Sequence, residues 1–418
     1  MRKTQWGVLA VATAAALVLT GCTAPAGDGG QDEDVTLTYW DFIDPSQDNA
    51  RSVALKENIE AFETANPNID VQLEVVSYGD MISRLPQAAA AGQVPDVVKM
   101  YTPLVAQVAA AGVYQPLPEA ATQIDDWLRP IDQLVDAEGN QVAVPYEYRT
   151  CALFYNQKIL DELGVAVPTT WDELVDAAAK ASAAGYVGFG SGFSDVDNSA
   201  IISELFDCFM AELDQPIVDK DGKAAFATAK AEEYSQFLAD LRDAGAYSSS
   251  VVADQYSTVT DGLSNGTVAF GVLGTHRVVT IQSVNPDVQW TNLPAASDGS
   301  QTGATFGFTF GIGSSSTHAE AAWKFIEYMT GPEAQARMAT GGEVPVRAAS
   351  YDEDYFSTPE AETVLAIRDY VENYSTPNTY AANWLKIATG LASAGQQLVL
   401  NDISASEYLQ VAQDAANG

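Results

Sequence analysis

Residues 142–174, VAVPYEYRTCALFYNQKILDELGVAVPTTWDEL, contain the change of direction on which the fold prediction depends. The segment starts as a short apolar strand that Pro145 interrupts, because proline cannot donate a hydrogen bond within a sheet. A polar aromatic patch follows at residues 146–149, and residues 152–155 predict a second, buried strand. A proline-broken strand with exposed tyrosines is typical of a chain that passes between two domains beside a cleft. The alternative is an ordinary bent strand.

The same segment ends in a predicted helix with two start signals. Pro168 ends the preceding run, and Thr170 with Glu173 forms a T-x-x-E capping box. Trp171 lies inside this helix, and Trp323 lies inside a later capped helix. Both tryptophans are therefore predicted to belong to the core.

Strand and helix patterns alternate through the first third of the chain. Alternating apolar residues predict strands at residues 35–40 and 69–75, and residues 95–98 open a third. Helical patterns separate these strands. Such alternation indicates a mainly parallel sheet covered by helices.

Several motifs resemble those of a known family. They are P-Y, L-F-Y-N and P-T-T-W-D-E-L in the opening segment, with F-E-x-x-N-P-x-I and A-A-G-Q-V-P-D-V-V nearer the start. These resemble bacterial extracellular solute-binding proteins of the maltose-binding type, and the similarity covers nearly all of the mature chain. The resemblance implies an α/β, two-domain periplasmic-binding-protein-like fold of type II. Three interdomain crossings would surround a ligand cleft.

The resemblance also implies a function and partners. The protein would capture a carbohydrate and deliver it to the permease subunits of an ABC importer. An aromatic-rich cleft favours an oligosaccharide of two or more units over a monosaccharide. We expect a monomer that needs no cofactor and no metal, because no His or Cys cluster is present.

The predicted organisation has four parts. Residues 303–313 and 341–347 resemble the second and third crossings of the family. The parts are a signal segment at 1–22, a tether at 23–34, a first domain at 35–145 plus 305–346, and a second at 146–304 plus 347–418.

The N-terminus predicts export and attachment to a membrane. Arg2 and Lys3 precede an apolar run at residues 7–20 that is too short to span a bilayer. The run closes with L-T-G-C, which resembles a lipoprotein signal box, so Cys22 would carry the lipid. The alternative is a plain signal peptide with an accidental cysteine. Residues 23–34 lack large apolar side chains and predict a flexible tether on the outer face of the cell membrane.

The chain is strongly acidic. It has 56 acidic and 20 basic residues, a formal net charge of −36. Loss of the signal segment removes two basic residues and brings the charge near −38. Such a surface repels phosphate backbones, which argues against nucleic-acid binding, and anionic lipid, so membrane attachment would depend on the anchor.

Two cysteines remain after Cys22. Cys151 lies on the strand that follows the predicted crossing, and Cys208 lies in the helical run at residues 201–213. Disulfides persist outside the cytoplasm. The sequence leaves open whether the two form a bridge or remain buried thiols.

Ligands of parallel sheets bind at the carboxyl ends of the strands. That rule selects Trp40, Asp41 and Phe42 after the first strand, Tyr78 after the second and Tyr101 after the third. Aromatic faces suit the C–H faces of pyranose rings, and forked donors suit their hydroxyls.

The crossings and the resemblance extend this set. His276 stands where relatives commonly carry an aromatic residue against the ligand; otherwise it is a solvent-facing loop histidine. Trp384 stands where relatives place an aromatic against the sugar; otherwise it joins a buried stripe with Leu385, Ile387 and Leu391. The predicted ligand contacts are Trp40, Asp41, Phe42, Tyr78, Tyr101, Tyr146, Tyr148, Arg149, His276, Phe308, Arg347 and Trp384.

Two other classes of protein are alternatives to the component of an importer. A secreted, membrane-anchored glycoside hydrolase needs two carboxylates that flank a bond. Abundant carboxylates do not discriminate, but a lipid tether combined with three crossings argues against an enzyme. A surface carbohydrate-binding adhesin predicts a flat exposed patch in place of a cleft.

Overall fold

The computed structural model describes residues 34–130, 134–195, 200–296, 301–380 and 382–418. The predicted signal segment with Cys22, and the tether up to residue 33, lie outside the described residues. The strands are β1 Val35–Asp41, β2 Ile69–Val75, β3 Val97–Tyr101, β4 Ala143–Arg149, β5 Cys151–Asn156, β6 Val187–Gly190, β7 Val268–Gly274, β8 Val288–Thr291, β9 Gly303–Ile312 and β10 Ser375–Pro377.

Helices cover these strands. The helices are α1 Ala50–Ala65, α2 Tyr78–Ala91, α3 Val105–Ala110, α4 Glu119–Thr122, α5 Gln157–Leu163, α6 Trp171–Ala183, α7 Ala200–Glu212, α8 Glu232–Asp243, α9 Tyr256–Ser264, α10 Val278–Val284, α11 Ala319–Met329, α12 Pro332–Ala339, α13 Glu362–Tyr374, α14 Trp384–Val399 and α15 Ala405–Asn417. None of the described helices is both long and apolar enough to cross a membrane.

The strands form two sheets. The larger has the order β10-β9-β3-β1-β2, and β4 pairs with β9 beside this path; the smaller has the order β6-β7-β5-β8. Strands β1, β2 and β3 are parallel, whereas β9 runs antiparallel to β3 and β4. The predicted α/β fold class is therefore confirmed. Strand β10 lies in the larger sheet although the sequence suggested that residues 347–418 return to the second domain.

The passage from the larger to the smaller sheet occurs at Thr150. Strand β4 ends at Arg149 and β5 begins at Cys151, so this single buried residue separates them. The sequence placed the break at Pro145, and this was wrong because the strand continues through the proline. Pro145 is accommodated at a β-bulge, where the register against β9 shifts between Pro145 and Glu147.

The tyrosines beside the bulge are buried, not exposed as predicted. Tyr146 is 1% exposed and Tyr148 is 7% exposed. The bulge needs Gly307 on β9, which has φ +150°; a Cβ there would lie 2.0 Å from the Glu147 carbonyl oxygen. Close backbone approach therefore excludes every other residue at this position.

The core follows the predicted patterns in several places. Thr170 accepts a hydrogen bond from the Glu173 amide and caps α6. Trp171 and Trp323 are both buried, as predicted. Cys151 and Cys208 form a disulfide, with their Cα atoms 6.2 Å apart, which decides between the bridge and the free thiols.

Residues 34–418 pack as one compact unit that contains both sheets. The division of this unit into two domains at residues 145, 304 and 346 stays a prediction.

Candidate ligand-binding site

A pocket of about 240 Å³ lies between elements of the two sheets. Its lining residues come from eight or more separate segments, so no local stretch of sequence contains the site. They are Phe42, Arg51, Tyr78, Tyr101, Arg149, Ala200, Glu204, Tyr256, His276, Arg277 and Phe308.

One side of the pocket is an aromatic wall, which we define as Phe42, Tyr78, Tyr101 and Phe308. Neighbouring ring centroids in this wall are 5.0 to 6.2 Å apart, and most pairs meet edge to face. Phe42 follows β1, Tyr101 ends β3, and Phe308 pairs with Tyr101 from the antiparallel β9. The topology of the larger sheet thus brings the rings together.

A second group of lining residues forms a polar wall, which we define as Glu204, Tyr256, His276 and Arg277. The Tyr256 hydroxyl donates a hydrogen bond to Glu204 Oε2 at 2.8 Å and accepts one from the Gly274 amide at 2.9 Å. His276 and Arg277 follow β7 in one turn of 3₁₀ helix. Tyr256, His276 and Arg277 therefore belong to elements around the smaller sheet, whereas Glu204 belongs to α7, which packs on β9 of the larger sheet as well as on β5 and β7.

Arg51 and Arg149 lie in a network of buried charges at the back of the pocket. Arg51 Nε lies 2.5 Å from Glu343 Oε1, and its Nη2 lies 3.5 Å from Glu147 Oε2. Arg149 pairs with the other Glu147 oxygen. Both guanidiniums also face the aromatic wall, Arg51 over Phe42 and Arg149 over Phe308. Each carboxylate of this network is thus held by at least one guanidinium.

Burial shifts the pKa values of two pocket residues in opposite directions, upward for Glu204 and downward for His276. Burial raises the pKa of Glu204, against the hydrogen bond from Tyr256 that stabilises the carboxylate. Burial also lowers the pKa of His276 well below its usual range, and the three arginines of the pocket lower it further. His276 therefore faces the pocket as a neutral hydrogen-bonding ring.

Six of the twelve predicted contacts line the pocket: Phe42, Tyr78, Tyr101, Arg149, His276 and Phe308. The strand-end rule found three of these, because carboxyl ends of parallel strands do meet at this edge. Whether the six contact a ligand stays a prediction.

Two predicted residues of the first strand lie outside the pocket lining. Asp41 is fully buried and pairs with Lys99, whose Nζ lies 3.1 Å from Asp41 Oδ2. Trp40 is 9% exposed and lies under Arg84, whose guanidinium carbon is 4.3 Å from the ring centroid. Trp40 and Asp41 are consecutive, so their side chains point to opposite faces of the sheet and pack in different places. A position at a strand end therefore does not by itself place a side chain in the pocket.

The remaining four predicted residues also lie outside the pocket lining. Tyr146 packs on Phe310 with ring centroids 4.4 Å apart, and Tyr148 pairs with Val344. Two more lie in other parts of the molecule. Arg347 pairs with Asp126 at 2.7 Å, and Trp384 is 3% exposed and packs edge-on against Tyr380.

Sequence reasoning missed five lining residues, Arg51, Ala200, Glu204, Tyr256 and Arg277. A signal existed for Glu204, since a carboxylate within the apolar run at 201–213 needs a reason to be buried. Arg277 adjoins a residue that was selected. Arg51 and Tyr256 gave no signal, because each stands near the start of an ordinary helix.

Comparison with known proteins decides the family. The family model of bacterial extracellular solute-binding proteins matches residues 47–336. This chain belongs to that family. The family resemblance inferred from the sequence is therefore confirmed. The members of this family are binding proteins that act outside the cytoplasm.

Individual relatives are distant. A protein of Brucella abortus (strain 2308), named only as a candidate binding protein, is 24% identical over 309 residues, 71% of this chain and 73% of its own. The GacH receptor of Streptomyces glaucescens, solved unliganded and with acarbose, has a TM-score of 0.77 at 22% identity and covers 92% of this chain and 98% of its own. A solute-binding protein from Thermotoga lettingae with bound α-D-tagatose has a TM-score of 0.77 at 21% identity, with 91% and 98% coverage. At these identities the solved structures show the fold alone.

Proposed function

We propose that the protein captures a carbohydrate in the pocket and delivers it to the membrane permease of an ABC importer. The observation that carries this proposal is the presence of an aromatic wall and a polar wall in one pocket. Four rings offer flat surfaces to the C–H faces of a sugar, while three guanidiniums, a carboxyl and an imidazole offer partners to its hydroxyls. The fold likeness to proteins solved with acarbose and with α-D-tagatose supports the same class of ligand.

The pocket limits the size of the ligand. A volume of about 240 Å³ is below the roughly 300–1,000 Å³ of sites for drug-sized molecules. The lining residues would therefore enclose one or two sugar rings, and a longer oligosaccharide would extend past them.

A binding role fits this pocket better than hydrolysis. Glycoside hydrolysis needs two carboxyl groups about 5–9.5 Å apart across the scissile bond. Among the described lining residues, Glu204 is the one carboxylate. Its partner Tyr256 holds it within the polar wall.

The experiment that tests the function is isothermal titration calorimetry against a panel of neutral and acidic mono- and disaccharides. We expect at least one sugar to bind with a dissociation constant in the micromolar range or tighter. Tyr78→Ala should weaken that binding by at least about tenfold, or 1.4 kcal/mol. Tyr374→Ala, at a side chain 45% exposed and outside the lining, is the matched control. If no sugar binds, the proposal is wrong.

We further propose that Cys22 carries a lipid that anchors the protein to the outer face of the cell membrane. The L-T-G-C box and the apolar run before it support this. Mass spectrometry of the mature N-terminus should find a diacylated Cys22. An unmodified N-terminus at another residue, on protein released to the medium, would exclude the anchor.

A further inference from the structure

The pocket concentrates positive charge in an acidic protein. Lysine and arginine make up only 20 of 418 residues, against 56 acidic ones. Three of these 20, Arg51, Arg149 and Arg277, line one pocket of about 240 Å³. Each guanidinium carbon lies within 5.4 Å of the centroid of an aromatic ring that lines the same pocket. The three side chains therefore face the space that a ligand would occupy.

The charges behind the aromatic wall balance one another. Lys99 pairs with Asp41, and Arg51 pairs with Glu343. Arg149 shares Glu147 with Arg51. Three cations thus meet three carboxylates, and this part of the site has no charge left for a ligand to neutralise.

Arg277 differs from the other two arginines. Among the described residues, no carboxylate lies within ion-pair distance of its guanidinium, which packs over Tyr256 at 5.0 Å. Its buried Nε has no hydrogen-bond partner there. The nearest acidic group in the pocket is Glu204, whose Oε2 accepts the Tyr256 hydroxyl. Tyr256 and the longer-range attraction of Glu204 stabilise this guanidinium in part, but its Nε donor and its charge have no directly bonded carboxylate among the described residues.

Two more buried nitrogens of the same pocket lack partners. Arg149 Nε and His276 Nδ1 make no hydrogen bond to the described residues, although Arg149 is only 5% exposed. Buried polar atoms without hydrogen-bond partners are rare in folded proteins and call for an explanation. A ligand that brings acceptor oxygens beside Arg277 would supply one.

We propose that the captured carbohydrate is an acidic sugar whose carboxylate pairs with Arg277 while its ring lies on the aromatic wall. This inference rests on the proposed function and names the ligand class of the same pocket. The planar fork of a guanidinium matches the two oxygens of a carboxylate. One unpaired guanidinium calls for a single negative charge, whereas a phosphate group carries about −1.5 to −2.

The charge state of His276 agrees with this proposal. The positive potential of the three arginines contributes to the low pKa of its imidazole. Arg51 and Arg149 are offset by Glu343 and Glu147, so Arg277 is the contributor that also favours a carboxylate placed beside it.

The test compares matched pairs of sugars on the full-length mature protein. Glucuronate is titrated against glucose, galacturonate against galactose, and the corresponding disaccharides against each other, by calorimetry at low and high salt. We expect one acidic sugar to bind at least about tenfold more tightly than its neutral match. The advantage should shrink as salt rises, since screening weakens the pair.

Variants of Arg277 assign the effect to this residue. Arg277→Gln should remove the preference for the acidic sugar, and Arg277→Lys, which keeps the charge without the fork, should retain part of it. Arg84→Gln, whose guanidinium pairs with Glu74 and lies outside the lining, is the matched control and should leave the preference unchanged. Because the comparison of sugar pairs uses the wild-type protein, it decides the question even if a variant fails to fold.

The outcomes separate this inference from the function on which it rests. If a neutral sugar binds as tightly as its acidic match, the inference is wrong and the proposed function stands. If no sugar of either kind binds, the proposed function fails as well. If succinate, a dicarboxylate without a ring, binds as tightly as the best uronate, the site recognises acids and not sugars, and both proposals fail.

Discussion

At the scale of single residues, aromatic side chains in similar sequence positions differ in whether they line the pocket or pack in the core. Trp384 and Tyr78 are both aromatic residues at the start of a helix. Tyr78 lines the pocket, whereas Trp384 is 3% exposed and packs edge-on against Tyr380, with ring centroids 5.1 Å apart. Its neighbours Ile387 and Leu391 are fully buried on the same helix.

We therefore expect Trp384→Ala to act on stability. Loss of a buried tryptophan costs about 3–5 kcal/mol of the free energy of unfolding, which urea titration monitored by circular dichroism would measure. The sugar affinity of the folded fraction should stay within about threefold of wild type, because the ring does not line the pocket. Wild-type melting together with a tenfold loss of binding would instead show that Trp384 contacts the ligand.

Asp207 gives the stability a dependence on pH. Burial raises its pKa to about 7, although Asn378 and Tyr380 donate hydrogen bonds to its carboxylate. An unfolded aspartate has a pKa of about 3.9. The folded state therefore holds the proton more tightly. Protonation of Asp207 therefore stabilises the folded state relative to the unfolded state. This stabilisation is complete below about pH 3.9 and is lost as the pH rises toward 7.

From pH 5 to pH 7 this single group should lower the free energy of unfolding by about 2 kcal/mol. Asp207→Asn should remove that part of the decline, because the amide does not titrate. Urea unfolding at pH 5, 6, 7 and 8 measures it, with Asp402→Asn on the surface as the control. Identical pH profiles for wild type and Asp207→Asn would contradict the assignment.

At the scale of elements, the disulfide ties the first strand of the smaller sheet to helix α7. Cys151 opens β5 and Cys208 lies within α7, which also carries Glu204 of the polar wall. The two cysteines are 57 positions apart. In the chain-entropy account, closing a loop of that length stabilises the folded state by about 4 kcal/mol.

The double variant Cys151→Ala, Cys208→Ala should lose stability of that order. Equilibrium urea unfolding with and without reductant measures the loss, in a background of Cys22→Ser so that no third thiol interferes. Reductant should lower the stability of the parent and leave the double variant unchanged. A parent that is insensitive to reductant even when unfolded and refolded in its presence would count against a stabilising bridge.

At the scale of the whole molecule, the pocket draws on both sheets. The aromatic wall lies on or beside the larger sheet, and Tyr256, His276 and Arg277 of the polar wall lie on elements around the smaller one. A ligand that contacts both walls binds more tightly when they are close. It can therefore shift an open–closed equilibrium toward the closed form, through the contacts made only there.

We expect the radius of gyration from small-angle X-ray scattering to decrease when the cognate sugar saturates the protein. Tyr78→Ala at the same sugar concentration should decrease less, because fewer molecules are occupied. An unchanged radius at proven saturation would exclude closure as the response to ligand.

Local sequence patterns predicted much of the architecture. Alternating apolar residues predicted the first strands, and the T-x-x-E signal predicted the start of α6. The motifs around residues 142–174 indicated the family. These features are local, because strand periodicity and helix caps depend on residues only a few positions apart. Phe42 and Tyr101 could be predicted as lining residues for a related reason, since parallel strands bring their carboxyl ends to one edge.

The remaining features of the fold and of the pocket depend on contacts between distant parts of the chain. Pro145 was predicted to break the strand, but its bulge depends on Gly307 more than 160 positions away. The polar wall depends on a hydrogen bond between Glu204 and Tyr256, which are 52 positions apart. Which of several aromatic residues faces the pocket depends on packing between sheets, and no local pattern records contacts made over such distances along the chain.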